Sequence, residues 1–254
     1  MALLELRGVT KSFGGLRVLD GVDLVVEAGA VHALIGPNGS GKTTLLNCVS
    51  GILAADAGGI RFHDTPLDDL APHQRTRLGL ARTFQNIRLF GGLTVLDNVL
   101  VGRHCRTHAG LLRAWMRLPF SRPAEERASR ERARALLALV GLGGRALETA
   151  EGLPLADQRR LEIARALAAE TSLLLLDEPA AGMNATEKQG MNRLIRDIVA
   201  GGCTVVLVEH DIGLVMDVSS RVTVLNFGQK IAEGSPSAVR RDPQVVEAYL
   251  GQDA

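Results

Sequence analysis

The sequence predicts an α/β fold with a mainly parallel core sheet, an antiparallel β segment at the N-terminus and an inserted helical segment. Three observations predict it. A glycine-rich turn, Gly36-Pro37-Asn38-Gly39-Ser40-Gly41-Lys42-Thr43-Thr44, lies between the apolar run Val31 to Ile35 and the helix-like run Thr44 to Val49. Apolar β-type runs then alternate with helical patterns through the second half of the chain. Between these halves, residues 94–140 carry helical character instead.

Each element has its own local reason. Residues 3–35 read as short strands separated by turns: Leu4 to Val9 alternates, Gly14-Gly15 marks a hairpin, and Val18 to Val26 alternates imperfectly with a turn expected at Asp20-Gly21. Gly58-Gly59-Ile60-Arg61-Phe62 reads as a strand, and Pro66 to Leu78 as polar chain with a short helix. Thr94-Val95-Leu96-Asp97 can cap a helix. Pro123, followed by Glu125 and Glu126, opens a helix expected to reach Val140 and stop at Gly141. Beyond it a helix is expected over Leu161–Ala169, a buried strand over Thr171–Asp177 and a helix over Glu187–Ala200. Then come a strand over Thr204–Val208, a helix over Asp211–Val218, a hairpin over Arg221–Ala232 turning at Phe227-Gly228, and a short helix over Pro243–Leu250. No internal repeat, low-complexity tract or flexible linker interrupts the pattern.

Composition excludes several classes. The 254 residues, 46% hydrophobic, suffice for one large α/β domain or two modest ones. A formal net charge of +1 gives no global electrostatic case for nucleic acid. At 3% aromatic residues, a base-stacking platform for single strands is not expected. Cys48, Cys105 and Cys203 are widely spaced and odd in number, which fits a reducing cytosol better than a disulfide framework or a metal site. Glu5, Arg7 and Lys11 break up the first apolar run, so no secretory signal is expected. No apolar stretch approaches the roughly 20 residues that span a bilayer, so any membrane role is expected to run through a partner.

The glycine-rich turn matches G-x-x-x-x-G-K-[ST], and a strand before it and a helix after it turn the pattern into a mechanism. Glycines let successive backbone N–H groups curl around an oxyanion, and the helix N-terminus adds its positive dipole end. Lys42 carries a full charge to the β- and γ-phosphates, and the Thr43 hydroxyl can ligate Mg²⁺. Leu173-Leu174-Leu175-Leu176 ends in Asp177-Glu178. An apolar strand ending this way can hold Mg²⁺ through Asp177 and orient the attacking water with Glu178. Gln85 sits at the junction with the helical block, where its side chain can reach Mg²⁺ in one position and release it in another. His210 follows a predicted strand at the end where open α/β sheets bind ligands. Taken singly, these residues have plainer readings: a turn that binds nothing, two solvated acids, a surface glutamine and a solvated histidine.

Taken together they are ordered. Phe13, the glycine loop, Gln85, the run Gln158 to Leu167, Asp177-Glu178-Pro179 and His210 occur in the order of an ABC-type ATPase, and the chain resembles that family along essentially its whole length. The resemblance implies ATP and Mg²⁺ as ligands and a P-loop NTPase fold: one ABC ATPase domain over residues 1–254, with a helical subdomain inserted at about 86–160 and a helical tail at 235–254. It implies that Phe13 stacks on adenine, that Gln85 senses Mg²⁺ and contacts the membrane partner, and that His210 contacts the γ-phosphate. Leu153-Pro154-Leu155-Ala156-Asp157 occupies the position of the family's ATP-contacting signature, and Ala181-Gly182-Met183-Asn184 resembles the loop that crosses the dimer interface.

Lys11-Ser12-Phe13-Gly14-Gly15, Arg82-Thr83-Phe84-Gln85-Asn86, Gln158 to Leu167, Asp177 to Gly182 and Val246-Glu247-Ala248-Tyr249-Leu250-Gly251 are similar to the larger ATP-binding subunit of branched-chain amino acid importers. So is the arginine-rich insertion around 103–134. That likeness implies a second, different ATPase subunit, two transmembrane permease subunits and, indirectly, an extracytoplasmic substrate-binding protein. It implies a peripheral position on the cytoplasmic face of the inner membrane and no nucleic-acid partner. Branched-chain or other hydrophobic amino acids are the implied cargo. A urea or amide importer subunit and a soluble, non-transport ABC ATPase are the rival readings.

The usual signature, Leu-Ser-Gly-Gly-Gln, is altered here. Pro154 replaces the serine and offers neither hydroxyl nor N–H, though close relatives of this subfamily can carry proline there. Ala156 replaces the second glycine, and its methyl is expected to crowd a backbone that approaches phosphate. Arg113, Arg117, Arg122, Arg127, Arg130, Arg132 and Arg134 share the region with Glu125, Glu126 and Glu131. They read as a solvated helix with local ion pairs; Trp115 and Met116 favour some docking role, to permease loops or anionic headgroups.

Overall fold

The computed structural model describes residues 2–104 and 123–250. Cys105, Arg113, Trp115, Met116, Arg117 and Arg122, and with them the docking reading of the insertion, lie outside the described residues. Strands β1 (Ala2–Phe13), β2 (Leu16–Glu27), β4 (Ala57–Phe62) and β5 (Thr65–Pro66) form an antiparallel sheet in the order β2-β1-β4-β5. The second sheet holds β3 (Val31–Ile35), β6 (Leu80–Arg82), β7 (Leu173–Asp177), β8 (Thr204–Val208), β9 (Arg221–Asn226) and β10 (Gln229–Gly234), in the order β10-β9-β3-β8-β7-β6. It is parallel except for β10, which turns back on β9 through Phe227-Gly228. Strands β3, β7 and β8 are buried at every position, which is why their sequences are continuous apolar runs without alternation. Helix α1 (Lys42–Ser50) follows β3, and its Leu45, Leu46 and Val49 pack with Leu4, Leu6 and Phe62 of the first sheet and Leu173, Leu175 and Val206 of the second.

The N-terminal segment is not a series of short strands. β1 and β2 are single long strands, and Asp20-Gly21 is no turn. It lies within β2 beside register shifts around Val9 and Lys11, where Gly21 takes φ 66° and donates its N–H to Thr10 Oγ1 at 3.1 Å. A bulge uses the same glycine that a turn would, and local sequence does not separate the two.

Between β6 and β7 run α2's successors in the chain: after the short α2 (Pro72–Arg77) come α3 (Val95–Gly102), α4 (Pro123–Leu139) and α5 (Leu155–Leu167). Thr94 caps α3, its Oγ1 accepting from Asp97 N–H at 3.0 Å. Helix α4 buries Ala133, Leu136 and Leu137 against Val95, Val99 and Leu161; Val140, just past its end, is buried with them, and Gly141 follows at φ 78°. Its exposed side carries Arg127, Arg130, Arg132 and Arg134, and Arg130 pairs with Glu126 one turn earlier at 3.1 Å. Helix α5 starts at Leu155 and not at Leu161, because Pro154 stands at its N-cap with a φ already suited to a first turn. Helix α6 (Ala185–Ala200) likewise starts before Glu187. Asn184 accepts from Glu187 N–H at 3.0 Å while the Glu187 carboxylate accepts from Asn184 N–H at 2.8 Å, a reciprocal cap. Helices α7 (Ile212–Val218), α8 (Pro236–Val239) and α9 (Pro243–Leu250) complete the chain. Among the described residues no helix is long and apolar enough to cross a membrane.

One buried polar group of the core sheet sets a pH dependence. His32 on β3 is 2% exposed, and its Nε2 is 2.8 Å from Thr223 Oγ1 on β9. Burial pushes the imidazole down from its ordinary 6.5 to about 4. Between those values the unfolded chain binds a proton that the folded one refuses. Stability is therefore complete above pH 6.5 and is lost as pH falls towards 4, a span of roughly 3 kcal/mol. His32→Gln keeps a partner for Thr223 and removes the titration. Urea unfolding at pH 7 and pH 4.5 should show the wild type losing about 2–3 kcal/mol more than the variant; equal losses would show that His32 is protonated without penalty.

Candidate active site

The glycine loop forms because its backbone admits no alternative residues at key points. Gly36 has φ 148°, and a Cβ there would lie 2.0 Å from the Leu225 carbonyl oxygen and 2.8 Å from Ser40 Oγ. Gly41, at φ 103°, would place a Cβ 2.8 Å from the Val18 carbonyl oxygen. The loop is thus seated tightly on β9 and β2. The β9–β10 turn braces it further: Gly228 N–H donates to the Ser40 carbonyl at 3.1 Å, and Asp20 N–H donates to the Gly228 carbonyl at 2.9 Å. Lys42 opens α1 with its ammonium buried, donating to the carbonyls of Gly36 at 2.7 Å and Pro37 at 2.8 Å. Burial pushes its pKa down, and the carboxylates of Glu178 and Asp177 oppose that shift. A phosphate entering the loop competes with those two carbonyls for the same donor.

A pocket of about 250 Å³ is lined by Val18, by Asn38 through Thr44, and by Gln85, Glu178 and His210. Residues far apart in sequence meet there. Glu178 sits just past β7 in a left-handed conformation, φ 49°, which is strained for a side chain of this size. Its N–H donates to the Val208 carbonyl at 2.9 Å, which fixes the turn against β8. The carboxylate is held from two sides: Gln85 Nε2 donates to Oε2 at 3.1 Å, and His210 Nε2 is 2.9 Å from Oε1. Glu209, beside His210, is 4% exposed and accepts from the N–H groups of Ala180 at 2.8 Å and His210 at 3.2 Å. Burial pushes its pKa up, and those N–H groups oppose the shift. Glu209 thereby ties the chain after Glu178 to the end of β8, a positioning role its sequence neighbourhood does not announce.

Asp177 ends β7, 2% exposed. Its Oδ2 accepts from Arg82 Nη2 at 2.9 Å, while Oδ1 is buried with no hydrogen-bond partner among the described residues. Arg82 also donates to Asn47 Oδ1 at 2.7 Å and Ser50 Oγ at 3.1 Å, and so joins β6 to α1 and β7. An unpartnered carboxylate oxygen on the residue before Glu178, which lines the pocket with Thr43 and Gln85, fits a Mg²⁺ ion bound mainly by phosphate oxygens and water. Among the described residues no group of three His, Cys, Asp or Glu forms a closed metal cage, and Mg²⁺ on a nucleotide requires none.

Two sets of expected residues stand apart from the pocket. Phe13 ends β1 opposite Leu16, is 46% exposed, and has Lys11 Nζ 5.6 Å from its ring centroid; its link to the pocket runs through Val18 on the adjoining strand. Leu153 to Asp157 lies at the N-terminus of α5. Pro154 is the N-cap and supplies no side-chain cap. Asp157 in the first turn pairs with Arg145 at 2.6 Å, Ala156 is buried, and Leu155 reaches the Gly182 turn ahead of α6. The first N–H groups of α5 lack intrahelical acceptors, as at any helix start.

The C-terminal helix also reaches this region. Tyr249 packs against the cluster that holds Ala33 and Ile35, and burial pushes the pKa of its phenol up.

Comparison with known proteins matches this architecture. The ABC transporter family model matches residues 19–181, and a model described as branched-chain amino acid ATP-binding cassette transporter matches residues 229–254. The high-affinity branched-chain amino acid transport ATP-binding protein LivG of Escherichia coli is 40% identical over 251 residues, covering 98% of each chain. Its counterpart BraF of Pseudomonas aeruginosa is 41% identical with the same coverage. The crystal structure of the ADP conformation of MJ1267, an ATP-binding cassette of an ABC transporter, superposes with a TM-score of 0.86 at 32% identity over 99% of both chains. Matches of this length, on a pocket shaped for phosphates, lead to one conclusion: the chain belongs to the ABC transporter family, as an ATP-binding, ATP-hydrolysing subunit of a membrane transporter.

Proposed function

We propose that this chain drives the import of branched-chain amino acids from the cytoplasmic face of the inner membrane, as one of two different ATPase subunits beneath a pair of permease subunits. The observation that carries this reading is the match of residues 229–254 to the branched-chain model, joined to whole-length likeness to LivG and BraF. The chain is read as one ATPase domain. Its helical segment at about 86–160 faces the permease, its tail is residues 235–254, of which Val239, Val245 and Tyr249 pack on the core, and an extracytoplasmic binding protein delivers cargo from the far side.

The chemistry follows from the pocket. Gly36 through Thr44 cradle the triphosphate, and Phe13 stacks on adenine. Thr43, Asp177 and Gln85 would hold Mg²⁺, which neutralises phosphate charge when bound. Glu178 orients the attacking water, and its strained backbone keeps the carboxylate facing Lys42 and His210. His210 and Gln85 both grip that carboxylate, so movement of either changes how Glu178 can be used. The ATP-contacting segment Leu153 to Asp157 lies outside this chain's own pocket and serves the partner subunit's nucleotide.

The test is reconstitution in vesicles with the cognate permease, partner ATPase and binding protein. Leucine, isoleucine or valine should stimulate ATP hydrolysis and accumulate inside. Stimulation by urea or short amides alone would move the chain to another importer class, and an ATPase indifferent to every permease would mark a non-transport role.

A further inference from the structure

The strand that carries Phe13 outruns its sheet. Pairing of β1 with β4 ends at Thr10 opposite Ala57, so Lys11, Ser12 and Phe13 have β2 on one side and no paired strand on the other. The turn beyond them gives little hold. Gly14 and Gly15 lie at φ 50° and 89°, and a Cβ at either would meet nothing within 4 Å. Asp56, one residue before β4, takes the place of the missing strand. Its N–H donates to the Thr10 carbonyl at 2.8 Å. Its Oδ2 accepts from the Ser12 N–H at 2.7 Å, as a carbonyl of a paired strand would. Its Oδ1 accepts from Lys11 Nζ at 2.6 Å. The Lys11 bond first, and then the Ser12 bond, hold the carboxyl below the usual carboxylate range. Lys11 is thereby tied down, with its ammonium over the Phe13 ring, 5.6 Å from the centroid. A cation on one face of the ring leaves the other face for a base. The pinned pair also lies across from the phosphates: Lys11 pairs with Leu19, Ser12 pairs with Arg17, and Val18 between those partners lines the pocket. The Asp56 side chain is 45% exposed, and an ion pair so exposed adds little to stability. Its contribution is to placement.

We propose that Asp56, acting through Lys11, is a positioning residue for the base of the nucleotide, setting the Phe13 ring where adenine stacks. The inference rests on the reading that Phe13 stacks on adenine. Asp56→Ala removes both acceptors, Lys11→Met removes the ammonium and keeps most of the stem, and neither touches the phosphate loop. In the full-length chain each should raise the Kd for ATP about three- to tenfold with Tm nearly unchanged. The Kd for inorganic triphosphate should stay at the wild-type value, because the contact acts on the base and not on the loop. Phe13→Ala should cost more, roughly ten- to a hundredfold for ATP. In that background Asp56→Ala should change ATP affinity little, since no ring is left to place. Equal losses for ATP and triphosphate in Asp56→Ala would overturn the proposal. So would wild-type ATP affinity in Asp56→Ala or Lys11→Met beside an impaired Phe13→Ala, or a full further loss in the double variant. A Phe13→Ala chain that binds ATP as the wild type does would instead refute the adenine reading, and the proposal with it.

Discussion

Glu178→Gln is expected to leave ATP affinity within a few fold of wild type and to cut turnover in the assembled transporter by roughly a hundred- to ten-thousandfold, the range of a positioned acid–base group. The amide keeps the size of the side chain and still accepts a hydrogen bond on one atom, so the strained turn at φ 49° need not change. What is lost is a full carboxylate between Gln85 and His210, 3.1 and 2.9 Å away. The variant should accumulate ATP-bound transporter. Steady-state ATPase activity equal to wild type would remove Glu178 from catalysis. The matched change in the partner subunit gives a second arm. In the two-ATPase assembly proposed above, that subunit's phosphate-binding residues would face this chain's altered signature, where Pro154 has no hydroxyl. A missing hydrogen bond to a charged phosphate costs about 1.5–3 kcal/mol, or roughly ten- to a hundredfold in local affinity. Transport should therefore fall much less in the partner variant than in Glu178→Gln; equal losses would mean that the two sites share the work.

Arg82→Met is expected to be the most destabilising single change in the site. Arg82 and Asp177 are 5% and 2% exposed, 2.9 Å apart through Oδ2, and Oδ1 of Asp177 has no hydrogen-bond partner among the described residues. Removing the guanidinium leaves a buried carboxylate unpaired and strips Asn47 and Ser50 of a donor. Breaking a buried pair from one side costs about 3–5 kcal/mol, a large share of the roughly 5–15 kcal/mol that holds a typical domain. Urea unfolding should register that loss. The double variant Arg82→Met, Asp177→Asn should recover part of it, because the orphaned charge is gone. A double variant as unstable as the single one would show that Arg82 acts through packing and not through its charge.

The site was legible in the sequence where chemistry forces neighbours together. A phosphate cradle needs consecutive N–H groups, so Gly36 to Thr44 is one contiguous word. The Asp177-Glu178 pair is readable because an apolar strand precedes it. Sequence order grouped Gln85 and His210 with Glu178, and the three line one pocket, where both touch the Glu178 carboxylate. The residues that hold the site were harder to see. Arg82 was visible as part of a motif, but its partner is 95 positions away. Glu209 looks like an ordinary strand-end acid until Ala180 and His210 are seen donating to it. Tyr249 belongs to a recognisable ending, yet nothing local shows that it packs on the cluster holding Ala33 and Ile35. In the fold, helices and buried strands were readable from periodicity, while Asp20-Gly21 was misread because a bulge and a turn draw on the same residues. The sheet order follows from non-local pairing, which no window of sequence contains.

That order has a consequence for synthesis. The strand that carries the phosphate loop, Val31–Ile35, is the third made and is flanked in the finished sheet by Thr204–Val208 and Arg221–Asn226. A nascent chain emerges N-terminus first, so this strand waits through most of translation with both edges bare. Contacts this distant in sequence also form slowly. ATP stabilises by mass action only a loop that already exists, and so cannot rescue the growing chain. A ribosome that stalls before residue 204 releases Val31–Ile35 without either of its sheet neighbours.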